Sequence, residues 1–175
     1  MKPTKKYTVV TGASSGIGRE TAKAFANRGR NLIVAARRTE NLEALKREVT
    51  ERHPTLDVVI RTVDLSVREN VYQFYSDLKD FQLETWVNNA GFGNYDSVAQ
   101  QDLGKIDTML RLNVEALTIL SSLFVRDYKD TPGTQLINLS SCGGYRLRPF
   151  AWVEPAVSIA DNSSGSRRVK VRPTL

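Results

Sequence analysis

The segment Gly12-Ala-Ser-Ser-Gly16-Ile-Gly18 has the residue types and spacing to hold a phosphate. Ahead of it, Tyr7, Val9 and Val10 are strand-forming residues in a short apolar run. After it, Arg19 to Asn27 is a good helix sequence. A strand, a glycine turn and a helix start together present unpaired N–H groups and a partial positive charge. Glycines let the backbone turn sharply and approach a ligand with no Cβ in the way. Ser14 and Ser15 add hydroxyl donors. The spacing is G-x-x-x-G-x-G, not the G-x-G-x-x-G of the commonest dinucleotide fold. On the glycines alone a plain turn stays open as a reading.

A second chemical signal follows the next apolar run, Asn31 to Ala35. Dinucleotide folds commonly carry an acid at that strand end to hold the ribose 2′-hydroxyl. Here the place holds Ala36, Arg37 and Arg38. No carboxylate is there to repel a 2′-phosphate, and guanidinium groups pair with phosphate well. Arg37 and Arg38 therefore point to NADP rather than NAD. The plain alternative is two solvated arginines at a strand end.

The elements that must position these residues alternate along the chain. Arg19 to Asn27 has Ala22, Phe25 and Ala26 at helical spacing, and Gly29 fits a C-terminal stop. Glu40 to Arg52 is amphipathic, with Leu42, Leu45 and Val49 on one side. Leu56 to Val63 reads as a third strand, and Ser66-Val-Arg-Glu69 as a capping box for a third helix running to about Asp80. Thr85 to Val87 is a short fourth strand, and Asp102 to Tyr128 one long helix. Pro132-Gly133 is a turn, and Gln135 to Leu139 is a fifth strand leading to Ser140-Ser141-Cys142. Alternating strands and helices predict an α/β, Rossmann-like doubly wound parallel sheet of order 3-2-1-4-5, with ligands at the carboxyl edge.

Composition narrows the function classes. With 175 residues, 41% hydrophobic and 25% charged, the chain is an ordinary globular domain. No apolar run is expected to span a bilayer, and the basic start MKPTKKYTVV is too poor in apolar residues for a secretory signal. Cys142 and His53 are the only residues of their types, which excludes an internal disulfide and disfavours a metal site. A cytoplasmic protein with no metal and no membrane partner is the expectation. Net charge is +6. The basic residues are scattered, with part of the excess at Arg167, Arg168, Lys170 and Arg172, so a nucleic-acid partner is not expected.

The string TGASSGIG resembles the cofactor motif of the short-chain dehydrogenase/reductase family. Asn88-Asn89-Ala90-Gly91, after the fourth strand, is similar to a second motif of that family. The resemblance covers roughly residues 5 to 150. It implies hydride transfer between NADP and a small carbonyl or alcohol substrate. Gly12, Ser14, Ser15, Gly16, Ile17 and Gly18 would bind the cofactor, and the Asp64-Leu65 pair would hold the adenine. Asn89, Ala90 and Gly91 would support the sheet and line the adenine ribose. Asn113 would kink its helix and hold a water of a proton relay, and Ser141 would bond the substrate carbonyl.

The same resemblance demands a tyrosine beyond that serine, to donate a proton, and a lysine one helical turn later, to lower the tyrosine's pKa. Counted on from Ser141, those places hold Glu154 and Ser158. The chain's Y-x-x-x-K is Tyr75 to Lys79, on the wrong helix, and reads as coincidence. After Phe150 the sequence loses its period. Residues 1–150 are thus expected to be an incomplete dinucleotide-binding domain, with the family's C-terminal strands missing. Residues 151–175 are expected to be an atypical, disordered tail, as after a frame change or a gene-model error. Two functions compete: an NADP-dependent oxidoreductase, and a catalytically inactive nucleotide-binding module or fragment. A bare edge at the fifth strand favours a homo-oligomer.

Overall fold

The computed structural model describes residues 5–93 and 100–140. Among the described residues, five strands form one parallel sheet: β1 Lys6–Thr11, β2 Asn31–Ala36, β3 Val58–Thr62, β4 Gln82–Asn88 and β5 Gln135–Asn138. Their order across the sheet is β3-β2-β1-β4-β5, as the alternation of elements predicts. β1 pairs with β2 from Tyr7 opposite Asn31 to Thr11 opposite Ala35, and with β4 on its other side. The order reverses at β1, so the carboxyl ends of β1, β2 and β4 open one crevice beside the glycine turn.

The central strands are apolar on both faces because helices cover both faces. Side chains alternate between two cores. Val9, Ile33, Ala35 and Trp86 enter one, and Val10, Leu32, Val34 and Val87 enter the other. The second core is closed by α1 Gly16–Ala26 and α2 Thr39–Arg52, through Ala22, Ala26, Leu42, Leu45 and Val49. The first is closed by α3 Arg68–Ser76 and by the long helical stretch before β5. Fully buried Trp86 stands at its centre, its ring 5.5–5.9 Å from those of Phe74, Tyr75 and Phe124. After α1, Gly29 takes φ +73°, and its N–H bonds Ala26 O at 2.8 Å, which stops the helix as expected.

Three local expectations are corrected. The Ser66…Glu69 capping box does not form: the cap of α3 is Val67, with no side-chain bond. Asp64 Oδ1 instead accepts the N–H of Ser66 at 2.9 Å and its hydroxyl at 2.7 Å, so the serine is committed to the preceding acid. α3 then ends at Ser76 rather than near Asp80. The long helix does form as expected, from Leu103 to Tyr128, and its irregularity is a π-helical turn, Arg111–Ala116, that holds Asn113 between α4 Leu103–Leu110 and α5 Leu117–Tyr128. Finally, Leu103–Tyr128 is by length and composition apolar enough to cross a bilayer, contrary to expectation. In this fold it is a core helix, with Leu112, Ala116, Leu120 and Phe124 packed on the sheet.

At the opposite edge from the crevice, the hydroxyl of buried Tyr7 donates to Asp57 Oδ2 at 2.8 Å. Burial first, and then the Asp57 carboxylate, push the phenol from 10.0 up to about 12. A group whose folded pKa is raised stabilises fully below its unfolded pKa. That stabilisation is lost as pH climbs from 10.0 through about 12. The melting temperature of the wild type is therefore expected to fall more steeply over this window than that of Tyr7→Phe. Parallel melting curves for the two proteins would exclude this role for Tyr7.

Candidate functional site

The glycine turn joins β1 to α1. Gly12 and Gly16 take φ +69° and +54°, the left-handed region where a side chain is strained. Ser15 is extended at the cap of α1 and makes no side-chain capping bond, and the first turn of α1 carries no acid. The positive end of the helix is thus not neutralised by a side chain of its own first turn. Ile17 stands 69% exposed beside it. Gly18 is where the turn packs tightest: an added Cβ would lie 2.3 Å from Asn89 Nδ2 and 2.4 Å from Gly12 O.

Thr11 and Asn89 tie this turn to the end of β4. Thr11 Oγ1 donates to Val87 O at 3.3 Å and accepts the N–H groups of Asn89 and Ala90 at 3.0 and 3.1 Å. Asn89 Nδ2 returns the contact, donating to Thr11 O at 3.0 Å and Gly12 O at 3.3 Å. Asn41 of α2 holds the far side of the turn, its Nδ2 donating to Ser14 O at 3.2 Å.

The two arginines after β2 diverge. Arg38 Nη2 donates to Ser14 Oγ at 3.1 Å and to Ser15 Oγ at 2.7 Å, which places a guanidinium against the turn's hydroxyls. Arg37 leans the other way, with Nη1 4.0 Å from Asp64 Oδ2. Arg38 thus faces the glycine turn, and Arg37 faces Asp64. Asp64 follows β3, and Leu65 beside it is buried in the core. Burial works against the Asp64 charge. The hydroxyl and N–H of Ser66, with Arg37, outweigh it and hold the carboxyl below its usual range.

Beyond Asn89, a buried polar network links β4, β5 and α5. Trp86 Nε1 donates to Asn88 Oδ1 at 2.7 Å, and Asn88 Nδ2 donates to Ser121 Oγ at 3.0 Å and Asn138 Oδ1 at 2.9 Å. Asn113 lies in the π-helical turn. Its Nδ2 donates to Phe92 O at 2.8 Å and its Oδ1 accepts the N–H of Phe92 at 3.1 Å. The wider turn thus carries the side chain that clasps the segment after Gly91. A π turn inside an α-helix is a frequent companion of functional sites.

A family profile described as short chain dehydrogenase matches residues 6–153. The chain belongs to that family. An uncharacterized oxidoreductase of Mycobacterium tuberculosis is 28% identical over 148 residues, covering 83% of this chain and 58% of that protein. L-xylulose reductase of Caenorhabditis elegans is 31% identical over 144 residues, covering 82% of this chain and 56% of that protein. A short-chain dehydrogenase from Sphingobium yanoikuyae, solved in complex with NADPH, superposes with TM-score 0.75 at 28% identity, covering 80% of this chain and 55% of the other. A metagenomic short-chain oxidoreductase solved with NADP gives TM-score 0.75 at 26% identity, covering 85% and 68%. The chain thus spans a little over half the length of the curated relatives it matches.

As a short-chain dehydrogenase, the chain brings Gly12, Ser14, Ser15, Gly16, Gly18, Arg38, Asn89 and Ala90 into one cluster, while Asn113 clasps Phe92 next to Gly91. Ser141, Glu154 and Ser158 lie outside the described residues. Tyr75 is accounted for: its hydroxyl donates to Asp127 Oδ2 at 2.9 Å and Leu123 O at 3.1 Å of α5. Burial and the nearby Asp127 push this phenol well up, the wrong direction for a proton donor at neutral pH. Thr11, Asn41, Asn88, Ser121 and Asn138 also shape the site's supports. Of these, Thr11 and Asn88 were visible only as letters inside motifs, and Ser121 and Asn138 carried no signal of their own.

Proposed function

We propose that the crevice beside the glycine turn binds NADP(H), and that the whole protein moves a hydride between the nicotinamide and a small carbonyl or alcohol. The observation that carries the cofactor reading is Arg38, bonded to both serine hydroxyls of the turn. It sets a planar donor fork beside an uncapped helix start, a donor set suited to phosphate. The relatives solved with NADPH and NADP support the same reading. Gly12 to Gly18 would hold the diphosphate, Arg38 the 2′-phosphate, Asp64 and Leu65 the adenine, and Asn89 to Gly91 the ribose. When bound, the nicotinamide would supply the hydride. The chain's own residues would bind and orient it: Ser141 would orient the substrate, and Asn113 would hold the segment after Gly91 through Phe92.

A second reading is a nucleotide-binding chain without turnover. It is favoured by Glu154 and Ser158 at the places counted on from Ser141, and by a Tyr75 already committed to α5. Two measurements on the purified 175-residue chain decide. NADPH is expected to bind more tightly than NADH. Arg38→Ala should weaken NADPH binding selectively by about 1.5–3 kcal/mol, roughly ten- to hundredfold. Equal losses for both cofactors would defeat the NADP reading. NADPH oxidation with a panel of aldehydes and ketones is expected to be weak, because general acid catalysis is typically worth about 10²–10⁴-fold. Robust turnover would reject the second reading and show that another group donates the proton.

A further inference from the structure

Two adjacent arginines follow β2, yet they face different partners. Arg38 lies on the hydroxyls of Ser14 and Ser15. Arg37 lines a cleft of about 410 Å³ between the end of β3 and α3, with Arg61, Asp64 and Asn70. Asp64 is not free to follow Arg37. Its Oδ1 holds the N–H and hydroxyl of Ser66, and its backbone carbonyl accepts Asn70 Nδ2 at 3.1 Å. Oδ2 is left facing Arg37, 4.0 Å away. The side chain of Arg37 is 61% exposed and that of Asp64 39%, so the pair adds little stability. A long, solvated arginine chooses among many rotamers, however, and a fixed carboxylate is enough to bias that choice.

We propose that Asp64 tunes cofactor choice by drawing Arg37 toward the β3–α3 cleft, away from the 2′-phosphate, so that Arg38 with Ser14 and Ser15 recognises that phosphate alone. This rests on the NADP reading above. Asp64 acts here through Arg37, as a positioning residue. With the carboxylate neutralised, Arg37 is released to join Arg38, and discrimination between the two cofactors sharpens. The adenine and diphosphate are common to NADPH and NADH. Any change in how Asp64 meets them cancels in the ratio of the two dissociation constants, and that ratio is the readout.

The experiment titrates NADPH and NADH into the wild type, D64N, R37A, R38A and the double variant R37A/D64N, with melting temperatures as a check on folding. Asparagine keeps an acceptor for Ser66, so D64N retains the local turn. D64N is expected to raise the preference for NADPH about two- to fivefold, the scale of one exposed ion pair. R37A should lower the preference far less than R38A does. The double variant should lose the gain of D64N. A gain that persists in R37A/D64N would mean that the Asp64 charge repels the phosphate directly, and would overturn the proposal. So would an R37A loss as large as that of R38A. If the wild type shows no preference and R38A changes nothing, the NADP reading itself has failed, which these other outcomes do not imply.

Discussion

Gly18→Ala is expected to abolish cofactor binding and to cost several kcal/mol of stability, whereas Gly16→Ala costs only about 1–2 kcal/mol. The two glycines share one turn but face different constraints. At Gly16 the cost is conformational: φ is +54°, and an added Cβ meets nothing within 4 Å. At Gly18 the cost is steric. The Cβ would sit 2.3 Å from Asn89 Nδ2, 2.4 Å from Gly12 O and 2.9 Å from Gly12 C. Two of these atoms are backbone, and the third is an amide held by Thr11 O and Gly12 O. Moving Asn89 leaves the clash with the Gly12 backbone, so relief requires α1 to move off β1 and Asn89 to give up both bonds. This separates the turn from the end of β4. NADPH titration and chemical unfolding of the two variants give the comparison. A Gly18→Ala protein that binds NADPH within about threefold of wild type, a difference under 1 kcal/mol, would show that the packing of this turn is looser than its geometry.

The strand order was legible because alternating strand and helix patterns admit few right-handed parallel arrangements. The glycine turn was legible because few other residue types tolerate φ near +60° or a contact like that at Gly18. Helix ends were less so. The Ser66…Glu69 pattern has the letters of a capping box, but Asp64, two residues upstream, competes for the same hydroxyl and wins it. The π turn at Arg111–Ala116 was not legible in periodicity, since one widened turn barely disturbs an apolar stripe. The split between Arg37 and Arg38 depends on which carboxylate and which hydroxyls the fold brings near, and no adjacent-residue pattern encodes that. Ser121 and Asn138 look like an ordinary helix serine and strand asparagine until Asn88 is placed between them.

Trp86→Ala is expected to destabilise the domain by about 3–5 kcal/mol, a large part of the roughly 5–15 kcal/mol that holds a typical domain together. Trp86 is fully buried and touches three aromatic rings, two from α3 and one from α5. Removing the indole therefore unpacks two helices from one face of the sheet at once. The same residue also reaches the site. Its Nε1–H donates to Asn88 Oδ1, and Asn88 is 3% exposed, so that oxygen has little water to turn to. Trp86→Phe largely separates the two roles: it keeps most of the apolar volume and removes the donor. Leaving a buried acceptor without its partner costs about 1–3 kcal/mol. Asn88 also holds Ser121 and Asn138, and it immediately precedes the Asn89 that braces the glycine turn. Urea unfolding should thus rank wild type above Trp86→Phe, and Trp86→Phe above Trp86→Ala. NADPH affinity measured on folded Trp86→Phe should fall as well, because loosening Asn88 loosens the end of β4 against the turn. If Trp86→Phe matches wild type in both stability and NADPH affinity, the indole N–H is incidental and the tryptophan serves by volume alone. The site would then owe its bracing to Thr11 and Asn89, without the network behind them.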